Sequence, residues 1–213
     1  MAFLPDGRAL VTTKGGWGGR GEGEVLLLDQ QGAFVDTLLT LPVCADAERG
    51  LLGITLDLRF SDNGRVFIFY TEGTETCDIR EFGQSSDEPV YDVLMMFVFD
   101  NDRLGPDGVE YLRIDANEAA HRGGGLGAMP DGSILLSTGE AGGGIASQDP
   151  DSPHGKLLRI HPDFPYQGFP DNPLYEPDDP TAIRSLVYAS GLRNPFRFGI
   201  DQQTGTVLVT DVG

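Results

Sequence analysis

Four segments of this chain repeat one pattern: a short apolar run, a turn built on glycine, then a second β-rich run. They are "AFLPDGRALVTTKGG" from Ala2, "ITLDLRFSDNGRVFIFYTEG" from Ile54, "LGAMPDGSILLSTGEAG" from Leu126 and "FGIDQQTGTVLVTDVG" from Phe198. The turns "PDGR", "SDNG", "PDGS" and "QTGT" supply residues that tolerate φ > 0. The runs that follow, "RALVTT", "RVFIFYT", "SILLST" and "TVLVTD", read as strands. Further strand pairs fill the gaps. "GEVLLLDQQGAFVDTLLTL" (Gly23 to Leu41) and "DVLMMFVFDNDRLGPDGVEYLRID" (Asp92 to Asp115) each read as strand, turn, strand, and "GKLLRIHPDF" from Gly155 adds one more apolar strand.

Successive repeat turns stand roughly 55 to 75 residues apart, which is room for four strands with long loops. That is the pattern of a β-propeller blade. No helical periodicity is sustained, and the longest irregular stretches are Thr74 to Tyr91 and the Pro-rich Pro165 to Ile183. The expected fold is all-β, a single partial β-propeller domain over residues 1–213. Its four-stranded antiparallel blades fall at roughly 1–45, 46–117, 118–190 and 191–213, about three and a half blades where a closed propeller takes four to eight. A partial propeller exposes sheet edges and an apolar blade face, which a homo-oligomer would cover.

Charge narrows the partners. With 33 acidic residues against 15 basic ones the net charge is -18. Nucleic acid and anionic membrane surfaces are therefore not expected, because both are gripped by clustered Lys and Arg. No stretch is long and apolar enough to span a bilayer, and no signal peptide is visible. Cys44 and Cys77 flank the hairpin Leu51 to Glu72, whose ends lie close in space. A disulfide, suited to an oxidising compartment, and two free thiols both remain open.

In propellers the functional groups come from the innermost strands and the loops at one face. His121 in "HRGGGLGAM" enters the first strand of its blade, Arg193 and Asn194 in "ASGLRNPFRFGID" sit at the matching place in the next, and "AERGLLGITLD" sits there in the one before. "HRGGG" has no counterpart in the other hairpins, so the repeat alone does not account for it. Imidazole accepts a proton near neutral pH. Glu140 in "STGEAGGG" reads as a channel carboxylate or a solvated turn residue, with the turn favoured. His154 and His161 read as surface or turn residues, and the aspartates of "DPDSP" and "EPDDP" as turn formers.

The ordered set "ERGLLGITLD", "HRGGGLGAMPDGSILLSTGEAG", "QDPDSPHGKLLRIHPD", "GLRNPFRFGID" and "TDVG" resembles the glucose/sorbosone dehydrogenase family, soluble quinoprotein aldose dehydrogenases with a six-bladed propeller. The resemblance covers nearly the whole chain. It implies pyrroloquinoline quinone (PQQ) and calcium as cofactors, a sugar as substrate, oxidation of the C1 hydroxyl to a lactone, and a periplasmic or secreted location. By that resemblance His121 is the general base, and the glycines beside it let backbone and cofactor approach closely. Arg193 and Asn194 contact the quinone and its carboxylates, Gln148 stands in weakly for a glutamine of the cofactor pocket, and Gly213 lies near a calcium-binding backbone carbonyl. Arg grips carboxylates with two parallel hydrogen bonds, and calcium wants six to eight oxygens. The sequence also departs from the family. Ala120 stands where the best-studied type carries a carboxylate that orients the imidazole, Ile145 marks an apolar stretch near the expected glutamine, and the cations that grip the far side of the cofactor belong to later blades. The chain alone is therefore expected to bind PQQ weakly and to be impaired in sugar oxidation. The competing expectation is a non-catalytic extracellular propeller that binds a protein or glycan.

Overall fold

A computed structural model describes residues 1–74, 77 and 89–213, and in it the repeats fold as open antiparallel sheets. The first holds β1 (Ala2–Phe3), β2 (Ala9–Thr12), β3 (Arg20–Leu28) and β4 (Phe34–Cys44), hydrogen-bonded in that order. The second holds β5 (Leu51–Leu56), β6 (Arg65–Thr71) and β7 (Tyr91–Asp100), with β8 (Arg103–Leu104) on one end of β7 and β9 (Val109–Asp115) along it. The third holds β10 (Leu126–Ala128), β11 (Ile134–Thr138), β12 (Lys156–Ile160) and β13 (Val187–Ser190), and the hairpin β14 (Pro195–Ile200) and β15 (Val207–Asp211) follows. Four-stranded antiparallel sheets strung in chain order are β-propeller blades.

The turn chemistry behaves as its residues dictate. Gly7, Gly132 and Gly205 take φ of 87°, 89° and 72°, which no branched side chain adopts cheaply. "SDNG" differs from the expected tight turn: Phe60–Asn63 coil into one helical turn, closed by Gly64 at φ 64°. Strands β6, β11 and β12 are buried on both faces. Val66, Phe67, Ile68 and Phe69 of β6 have no exposed surface, so the run "VFIF" alternates between two packed faces. The chain divides into two compact units, Met1–Ala119 and Ala120–Gly213. In the first, Leu10, Val25 and Leu27 pack against Ile54, Val66, Ile68 and Val93. In the second, Met129, Leu135 and Leu157 pack against Phe198, Ile200, Val207 and Val209.

Cys44 and Cys77 form a disulfide, and with Val90 and Ala116 they make a small buried cluster. Thr74 to Tyr91, expected to be irregular, lies mostly outside the described residues. Pro165 to Ile183 contains no named strand, and the short strand β13 that follows it has no clear pattern in sequence. Among the described residues no helix is long and apolar enough to cross a membrane.

Candidate active site

The second unit gathers the candidate residues on three connections. His121 lies between β9 and β10, Glu140 and Gln148 between β11 and β12, and Arg193 and Asn194 between β13 and β14. His121 holds φ at 55°, in the left-handed region that few non-glycine residues adopt and that His enters more readily than most. Such strain persists where the surroundings over-determine it, and it concentrates at functional sites.

The surroundings here are explicit. Downstream of His121 the glycine run zips onto β11: Gly124 N–H donates to the Ser137 carbonyl at 2.9 Å, and Gly125 N–H to the Ser137 hydroxyl at 2.8 Å. Gly123 N–H donates to Asn194 Oδ1 at 3.1 Å. Across from it, a Cβ on Gly139 would stand 1.9 Å from the His121 carbonyl oxygen, so only glycine lets the two segments lie together. A Cβ on Gly123 would likewise stand 2.8 Å from the Ser137 carbonyl oxygen, so these glycines let neighbouring backbone approach closely and seat the histidine.

His121 Nδ1 lies 3.1 Å from Glu140 Oε1, with only 15% and 11% of the two side chains exposed. This corrects the turn reading of Glu140. The carboxylate that Ala120 does not supply comes instead from the far end of β11. A carboxylate on Nδ1 fixes the tautomer with its proton on that nitrogen, leaving Nε2 to accept another. Glu140 is itself placed by Arg193, whose carbonyl accepts its N–H at 2.8 Å.

The Arg-Asn segment is anchored by a residue that was not singled out. Asp211 takes the Arg193 N–H on Oδ2 at 3.1 Å and the Asn194 N–H on Oδ1 at 2.7 Å. Its sequence signal was its place in "TDVG", at the strand end that pairs with Pro195. Arg193 is exposed, and its Nη1 donates to the Val212 carbonyl at 2.7 Å. Asn194 is 3% exposed, and its Oδ1 serves the His121 loop. Gln148 is exposed, on a loop lying against Gly191, where a Cβ would stand 3.1 Å from its Nε2. Gly213 is exposed two residues beyond Asp211. The structure thus joins His121, Glu140, Asn194, Arg193 and Asp211 through hydrogen bonds, and sets Gln148 and Gly213 at the margin. Among the described residues no group of three or more His, Cys, Asp or Glu side chains is placed to hold a metal ion.

The profile of the Glucose / Sorbosone dehydrogenase family matches residues 1–213. The chain belongs to this family. Among curated proteins, an uncharacterized protein of Synechocystis sp. (strain ATCC 27184 / PCC 6803 / Kazusa) is 27% identical over 235 residues, which is 100% of this chain and 51% of that protein. An oxidoreductase described as a glucose dehydrogenase, from Thermus thermophilus, is similar in structure, with a TM-score of 0.75 at 28% identity, covering 98% of this chain and 55% of that one. The PQQ-bound aldose sugar dehydrogenase of Streptomyces coelicolor shares the fold, with a TM-score of 0.67 at 24% identity over 98% of this chain and 62% of its own. The chain spans about half the length of the relatives it matches.

Proposed function

We propose that this member of the glucose/sorbosone dehydrogenase family carries the base-bearing part of a PQQ-dependent sugar dehydrogenase that oxidises the C1 hydroxyl of an aldose to the lactone. The observation that carries the reading is the part-buried His121–Glu140 contact at 3.1 Å. His121 Nε2 takes the C1 hydroxyl proton while Glu140 holds the ring by its Nδ1–H and stabilises the imidazolium that forms. PQQ, if bound, would supply the two-electron acceptor for the hydride that leaves C1. The exposed guanidinium of Arg193 fits one of its carboxylates, with Gln148 as a further donor at the edge. Asn194 acts one step back, holding the glycine run that seats His121.

Calcium fits less well. A hard cation wants six to eight oxygens, and the Gly213 carbonyl supplies one, so no step is assigned to the ion. The disulfide favours an oxidising compartment, and periplasmic or secreted is the location we infer.

Titration of the chain with PQQ in large excess, to meet the weak binding expected of it, followed by addition of an aldose and an artificial electron acceptor to read slow turnover, tests the reading. Arg193→Ala should weaken PQQ binding about tenfold or more, the loss of one charge-assisted pair. His121→Ala should leave PQQ affinity in place and remove turnover. Unchanged turnover in His121→Ala would rule out the assigned base.

A further inference from the structure

Lys156 opens β12 with no exposed surface, beside the buried Leu157 and Leu158. Its Nζ donates to three backbone carbonyls: Ala146 at 3.0 Å, Ser147 at 2.9 Å and His154 at 2.7 Å. Three carbonyls converging on one positive centre have the chemistry of a small cation site, here filled by the chain's own ammonium. A buried charge is costly unless every donor is met. All three N–H donors of this ammonium are met, so the contacts point to a conformation that the lysine specifies.

The carbonyls it gathers lie on the connection that carries Gln148, and the same backbone reaches the rest of the site. Ser147 O accepts Lys156 Nζ and also the Gly191 N–H at 2.9 Å. Gly155, next to the lysine, accepts the Leu192 N–H at 3.2 Å and donates to the Gly139 carbonyl at 3.0 Å. Gly191 and Leu192 lead into Arg193, and Gly139 leads into Glu140.

We propose that Lys156 is a positioning residue of this site: its internal ammonium clamps the β11–β12 connection, and through Ser147 and Gly155 it sets the segments that carry Glu140 and Arg193. The inference rests on the proposed function for its meaning, but its test needs no cofactor. Lys156→Met, one heavy atom shorter, keeps the apolar stem and removes the charge. The smaller Lys156→Ala leaves room for an added ammonium ion.

The readouts are amide exchange and the ring resonances of the three histidines, assigned with His121→Gln. Loss of the clamp should speed exchange at Gly191 and Leu192 about tenfold or more, with the core amides of β11 unchanged. The His121 ring signal should move in both variants. That of His161, stacked on Phe169, should stay in place. Ammonium chloride, against sodium chloride at equal ionic strength, should restore protection in Lys156→Ala and not in Lys156→Met. A purely structural lysine gives a different result: both variants unfold, or exchange rises evenly through β10 to β13. Either outcome overturns the proposal, as does a His121 signal that does not move. Loss of turnover in His121→Ala bears on the reaction and leaves this inference untouched.

Discussion

At the scale of single residues, the site rests on a histidine in the left-handed backbone region and a carboxylate that holds its ring. The histidine was legible in the sequence because "HRGGG" breaks the hairpin repeat. Its partner was not, because Glu140 lies nineteen residues away inside "STGEAGGG", where a turn residue and a part-buried carboxylate look alike. Only the pairing of β10 with β11 brings them together. If the carboxylate orients the imidazole, Glu140→Gln should cut sugar oxidation by roughly 10²- to 10⁴-fold, as wrong-tautomer variants of such pairs do. PQQ affinity should hold, and steady-state turnover beside a binding titration separates the two effects. A second carboxylate reports on stability. Partial burial pushes the Asp131 pKa up, but hydrogen bonds from Ser133 and Arg159 outweigh it and hold the group below its ordinary 3.8. A depressed folded-state pKa means stability that is present above about pH 3.8 and lost as pH falls through the lower value. Asp131→Asn should therefore flatten the acid limb of a stability-against-pH curve below about pH 4, while an unchanged limb would show that other carboxylates govern it.

At the scale of elements, the sheets were legible and the connections were not. Period-two and fully apolar runs bounded by "PDG" or "QTG" specify strands and hairpins from local chemistry alone. The long connections are fixed by tertiary contacts with no period: the close approach at Gly139, the anchoring of Arg193 and Asn194 by Asp211, and the two lysines. Lys14 does on the β2–β3 connection what Lys156 does on β11–β12, donating to the carbonyls of Ala45 and Gly16. Burial pushes both amines below their ordinary pKa. Gly139→Ala should displace the His121 segment at a cost of about 2 kcal/mol or more, since the clash is with backbone and no rotamer relieves it. Chemical denaturation and the His121 ring resonance should both register the change. The disulfide acts on another connection. It closes a loop of 33 residues' separation, and Cys77→Ser should cost about 2–4 kcal/mol by freeing that loop in the unfolded chain. Reducing agent should destabilise the wild type and leave the variant unaffected.

At the scale of the whole molecule, the net charge of -18 acts on every element at once. Excess charge of one sign repels itself more strongly when the chain is compact, and so opposes folding. The arginine pairs offset part of it: Arg8 holds Asp6 and Asp102, Arg113 holds Glu72 and Glu110, and Arg184 holds Asp151 and Glu176. These pairs are largely exposed, so each is worth little and salt weakens it. The acidic residues outnumber the basic ones by more than two to one, so the charge stays strongly negative however the pairs are drawn. Repulsion among the remaining carboxylates is the larger quantity, and salt weakens that too. Screening length falls from about 30 Å at 0.01 M salt to about 8 Å at 0.15 M. The melting temperature should therefore rise over that range of sodium chloride and level off above it. A fall would mean that the arginine pairs outweigh the repulsion. Replacing Arg184 with Gln should then have the opposite consequence to the one expected here, making the protein less sensitive to salt rather than more.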